Sequence, residues 1–189
     1  MAKADNRLGP GSLAGLIKNT LLVMLGRRPL AGTFRTDADG MWQAIWASLI
    51  FTLLVSAFPG SQSGIGFLAL YLTIQLVSVL FTVLLFASLL NSIGLSSRLF
   101  VFVVPFLWVE NVQHLFGGLL QNLVVATGDI TFLILITPLI IWSIYWLWRI
   151  GRDQLGRGGW LATGLLFLSF VIDAGLFMFL RLRVQDSLG

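Results

Sequence analysis

The chain has no cysteine, one histidine, two tyrosines and only 11% charged residues in 189. Without cysteine there are no disulfides, no thiol nucleophile and no sulfur-ligated metal site. One histidine denies the chain a histidine cluster for zinc. It also does not follow the serine pair of Gly60-Ser61-Gln62-Ser63-Gly64 in any hydrolase pattern. Gly151, Gly156, Gly158 and Gly159 resemble a phosphate loop by composition alone, because no Lys-Ser or Lys-Thr follows them. Gly60 and Gly64 have dimer-motif spacing but fall in an expected loop.

What fills the chain instead is apolar: 57% hydrophobic residues and a mean hydropathy of +0.92. A soluble domain could not hide that much apolar surface in one core, so the expected solvent is lipid. A helix needs about 20 apolar residues to cross roughly 30 Å of hydrocarbon. Five runs qualify, and because the bilayer core leaves no exposed peptide group hydrated, the expected fold is an all-α bundle of five transmembrane helices. The first run covers about Met41 to Phe58, opened by Asp37, Asp39 and Gly40 and closed by Pro59-Gly60-Ser61. The second covers Ile65 to Leu90. Ser96 and Ser97 offer N-caps for a third, Leu99 to Leu120, interrupted by Pro105 and ending near Gly117-Gly118. The fourth covers Ile130 to Trp148 around Pro138, and the fifth covers Trp160 to Leu180, stopped by Arg181 and Arg183. The chain divides into a leader (1–40), a transmembrane domain (41–182) and a short external tail (183–189).

Cations set the orientation, since short positive loops stay cytoplasmic. Lys3, Arg7, Lys18, Arg27, Arg28 and Arg35 precede the first run, Arg98 lies between the second and third, and Arg149, Arg152 and Arg157 lie between the fourth and fifth. Placing these inside leaves only Arg181 and Arg183 outside, so the expected topology is N-in and C-out in a bacterial cytoplasmic membrane. Trp142, Tyr145, Trp146, Trp148 and Trp160 flank the cationic loop as an interfacial belt does. The formal charge of +4 then reflects loops facing anionic lipid, with Lys18, Arg27, Arg28, Arg149 and Arg152 as headgroup or partner contacts, and needs no nucleic acid. In the leader, Leu13, Leu16, Ile17, Thr20, Leu21 and Met24 recur at helical spacing with Lys18 on the wetter side. The run is too short to span and lacks a signal-peptide layout. It reads as an interfacial helix, either a lipid-surface anchor or a docking helix.

The candidate functional residues are a small polar set within the runs: Glu110, Asn111, Gln113 and His114 in the third, Asp173 in the fifth and Gln75 in the second. Glu110 and His114 are i, i+4 neighbours and share a helix face. Counted from the cytoplasmic ends at 1.5 Å per residue, Glu110 lies at ~16 Å, Asp173 at ~20 Å, and His114 and Gln75 at ~22 Å, with Thr52 and Thr137 at ~16 Å. One reading makes this layer interhelical hydrogen bonds that fix packing; another makes it a proton or cation relay or the lining of a polar cavity. His114 could ligate a metal, haem or pigment, but a histidine without companions reads as a hydrogen-bonding residue, so no cofactor and no metal are expected.

Phe34-Arg35-Thr36-Asp37 leading into Met41-Trp42-Gln43-Ala44-Ile45-Trp46, and the later run Val103-Val104-Pro105-Phe106-Leu107-Trp108-Val109, resemble small bacterial, alphaproteobacterial proteins of Yip1-like layout. The likeness covers about 150 residues in topology and these short runs in sequence. It implies a five-span bundle after a cytoplasmic leader. The Asp-Leu-Tyr-Gly-Pro type motif of the eukaryotic family is absent, Gly9-Pro10 being its nearest counterpart, and no functional residue carries over. The expected function is non-enzymatic: a scaffold, assembly factor or accessory subunit contacting other membrane proteins, with self-association left open. The alternative is a small channel or transporter using Glu110, His114 and Asp173.

Overall fold

The computed structural model describes the backbone of residues 12–188, and their side chains except at 58–63, 67, 177 and 179–188. The chain forms six α-helices: α1 (Leu13–Met24), α2 (Ala38–Ser63), α3 (Ile65–Ser92), α4 (Leu99–Thr127), α5 (Thr131–Leu155) and α6 (Gly159–Leu188), with no strand among the described residues. Five, α2 to α6, are long and apolar enough to cross a membrane. This is the architecture of a multi-pass membrane protein.

Several helices outrun their expected ends. Pro59-Gly60-Ser61 does not close α2, which continues to Ser63 and gives way at Gly64, a residue with φ +88°. Gly117-Gly118 does not end α4. The Cβ that Gly118 lacks would fall 2.7 Å from Val55, so this glycine lets α2 and α4 approach, and α4 ends ten residues later at left-handed Gly128. Arg149 and Arg152 lie on α5 and not in a loop, since α5 runs to Leu155. Arg181 and Arg183 do not stop α6, because arginine is a good helix former. Ser96 and Ser97 cap nothing; they open a 3₁₀ turn through Arg98. Proline costs α4 and α5 a backbone bond at Pro105 and Pro138 without breaking either helix.

The start of α2 follows its sequence. Asp37 Oδ1 accepts from Gly40 N at 2.8 Å, and Arg35 bonds Asp37 at 2.7 Å and also reaches Asp39. The Gly40 amide, then Arg35, hold the Asp37 carboxyl below the ordinary aspartate range.

The helices close a ring in which α2 packs on α3, α3 on α6, α6 on α5, α5 on α4 and α4 back on α2. The first half of α4 is buried on every side, from Phe102 through Val109, as expected of a helix apolar all round. Phe86 of α3 meets Phe102 and Phe106 with ring centroids 5.3–5.4 Å apart. Helix α1 lies against α4. It buries Gly15, Leu16, Asn19, Thr20, Val23 and Met24, a face rotated from the expected one, while Lys18 is exposed. The leader helix therefore packs on its own bundle. Its apolar side chains Leu13, Ile17, Leu21 and Leu22 are half-buried.

The adjacent glycines of α4 should respond oppositely to alanine. Gly118→Ala forces Val55 to shift and should cost about 1–3 kcal/mol, whereas Gly117→Ala meets nothing within 4 Å and should be neutral or stabilising. Unfolding of the two variants in detergent checks this.

Candidate functional site

Polar side chains within the bundle are distributed over helix pairs rather than gathered in one cluster. Their hub is α2, where Ala44, Ser48, Thr52 and Ser56 recur every four residues and are all buried. Small residues at that spacing bring neighbouring helices close. Each of the first three receives a contact from another helix. Asn111 Nδ2 donates to the Ala44 carbonyl at 2.8 Å, Gln75 Nε2 donates to Ser48 Oγ at 2.8 Å, and Thr52 Oγ1 lies 3.2 Å from His114 Nε2. Ser56 Oγ turns back to the Thr52 carbonyl at 2.5 Å.

A fourth contact to α2 from another helix explains why the helix survives its proline. Pro59 has no N–H to give the carbonyl of Val55 four residues earlier. Asn122 Nδ2 of α4 gives that carbonyl a donor at 2.7 Å. Asn111, His114, Gly118 and Asn122 thus form one stripe of α4, meeting α2 progressively along its length.

The acidic residues sit elsewhere. Asp173 accepts from Ser78 Oγ at 2.5 Å, which ties α6 to α3, and is itself exposed. Glu110 is half-buried, within electrostatic range of Asp173. The i, i+4 spacing of Glu110 and His114 does not make them a pair: His114 turns to Thr52, and no hydrogen bond or ion pair joins it to Glu110. Gln113 is half-buried and Thr137 exposed. The layer read by depth is therefore brought together as separate contacts: His114 with Thr52, Gln75 with Ser48, Asn111 with α2, and Asp173 with Ser78 beside Glu110.

Sequence reasoning missed Ser48, Ser56, Ser78 and Asn122. The four-residue repeat of small residues from Ala44 was the available signal for the first two; Ser78 and Asn122 carried none. Ser143 Oγ is the one fully buried side-chain oxygen without a hydrogen bond among the described residues. No group of three or more histidine or acidic residues able to hold a metal occurs among the described residues.

The fold and these contacts define a polytopic helical membrane protein with hydrogen bonds between its helices. No protein-family model, curated protein or solved structure matches the chain.

If Asn122 replaces the donor that Pro59 lacks, Asn122→Leu should destabilise the bundle by about 1–3 kcal/mol, the cost of an unsatisfied carbonyl. In a Pro59→Ala background, where the backbone N–H is restored, the same change should cost clearly less. A double-mutant cycle by unfolding in detergent measures the difference; equal costs in both backgrounds would reject the substitution of one donor for the other.

Proposed function

We propose that this protein is a non-enzymatic scaffold, assembly factor or accessory subunit of a larger membrane complex, of Yip1-like layout, in a bacterial cytoplasmic membrane. The observation that carries the reading is Asp173. It lies about 21 Å along α6 and is exposed, and among the described residues Ser78 is its one hydrogen-bond donor. A carboxylate facing hydrocarbon is costly, about 2.5–3.5 kcal/mol on insertion scales, and such residues are usually paired within a protein interior. A polar group on a neighbouring protein's helix would relieve that cost. Helices α3, α5 and α6 leave apolar surface open to neighbours, because only 22%, 17% and 28% of their apolar segments are buried within the chain. Most of the remaining polar side chains are committed to helix packing, which suits a rigid assembly surface.

A second reading, a small channel or transporter with Glu110, His114 and Asp173 as a relay, draws on the proximity of Glu110 to Asp173. The turn of His114 toward Thr52 separates it from that pair.

The test is native mass spectrometry of the full chain extracted in mild detergent, alongside proton flux in liposomes. The scaffold reading predicts a stoichiometric assembly that Asp173→Leu releases, with no flux. A chain that is solitary, and a proton flux abolished by Glu110→Gln, would overturn it in favour of the relay.

A further inference from the structure

A cavity of about 480 Å³ opens at the arginine-bearing end of the bundle, between the α1–α2 connection and the last turns of α5. Gly26 to Ala31 form one wall, and Trp146, Arg149, Asp153 and Gln154 the other. Three arginines, Arg27, Arg28 and Arg149, line it from parts of the chain more than a hundred residues apart.

Two of the three are held in place: Arg28 by a neutral group, and Arg149 by an aromatic ring as well as by its ion pair with Asp153. Arg28 Nη1 donates to Asn19 Oδ1 at 2.6 Å, a neutral partner on the buried face of α1. Arg149 stacks over the buried Trp146 ring, 4.7 Å from its centre. The cavity's one carboxylate is already shared: Asp153 Oδ2 meets Arg149 at 3.4 Å and Oδ1 meets Arg152 at 2.9 Å. Among the described residues, neither Arg27 nor Arg28 has an ion-pair partner. Of the backbone amides on this wall, those of Gly26, Arg27 and Arg28 are spent on the carbonyls of Val23 and Leu22, and Pro29 has none. The cavity is therefore a preorganised cationic socket whose recognition falls to planar guanidinium donors, the side chains best matched to phosphate oxygens.

Depth and shape narrow the ligand. Arg149 lies about 9 Å from the end of α5 at Leu155, directly after the tryptophan-rich segment that ends at Trp148, which is where the hydrocarbon gives way to headgroups. The volume is within the range of small-molecule pockets and larger than a bare phosphate ion needs, and Leu30, Ala31 and Trp146 add apolar wall to the cationic one. We infer that this cavity binds a phosphate-bearing anion, namely the headgroup of an acidic phospholipid, clamped by Arg27, Arg28 and Arg149.

The test is native mass spectrometry of the full-length protein in detergent with equimolar phosphatidylglycerol and phosphatidylcholine, for the wild type and for Arg28→Gln, Arg149→Gln and Arg98→Gln. The last removes an arginine at the same end of the bundle but outside the cavity. Elution volume and helical circular dichroism confirm that each variant is folded, and Arg149→Lys serves as a charge-conserving substitute if Arg149→Gln is not. The wild type should retain phosphatidylglycerol over phosphatidylcholine. Loss of one cavity arginine should weaken that retention about tenfold, the worth of a charged hydrogen bond, with Arg98→Gln unchanged. Equal retention by all folded variants would overturn the site. A parallel arm adds inorganic phosphate or an acidic peptide. Arginine-dependent binding of either without preference for phosphatidylglycerol would overturn the headgroup assignment and make the free anion or the peptide the ligand.

Discussion

The structure depends on one constraint: a polar group inside a bilayer must find its partner within the protein, because the solvent offers none. Helix α2 is where that constraint is met most densely. Two of its carbonyls and two of its hydroxyls receive contacts from α3 and α4, and its small side chains allow those helices to come near enough to make them. Lipid supplies no hydrophobic force between helices, so close packing and interhelical hydrogen bonds must hold α2 and α4 together. The absence of a Cβ at Gly118 and the donor of Asn122 serve the same seam: one permits the approach, and the other satisfies the carbonyl that Pro59 leaves free.

Around that seam the remaining helices are less committed. Helix α4 is enclosed by α1, α2, α3 and α5, while α3, α5 and α6 leave most of their apolar segments unburied within the chain. The acidic residues follow the same division. Glu110 is half-buried on the central helix, and Asp173 is exposed on the peripheral α6. The arginines gather at one end, where aromatic rings and Asn19 fix them beside an open cavity. The chain thus has a rigid interior joined by polar contacts, an outer face still bearing a carboxylate, and a cationic end suited to an anionic surface.

The number of spanning helices was legible in the sequence because apolar run length is a direct response to bilayer thickness. Helix ends were less so. Pro59 and Gly118 are breakers by intrinsic preference, but each sits where tertiary contact overrides that preference, and no local pattern announces a donor that arrives 63 residues later from Asn122. The depth count grouped the polar residues in one layer, yet depth does not specify azimuth. His114 and Glu110 diverge to different neighbours although they lie one turn apart. The face of α1 was approximated from periodicity, but Asn19 could not be assigned to the buried side without knowing that α4 and Arg28 await it.

The central claim, that α2 and α4 meet along the Val55–Gly118 seam, is tested most directly by crosslinking, for which a chain without cysteine is well suited. Val55→Cys combined with Gly118→Cys, whose Cβ atoms start about 1 Å inside disulfide spacing and need only that much easing of the seam, should oxidise to a disulfide within one chain, read as a mobility shift that reductant reverses, whereas Val55→Cys with Gly117→Cys, on the open side of α4, should not. Equal crosslinking of the two pairs, or bonds formed only between separate chains, would contradict the account.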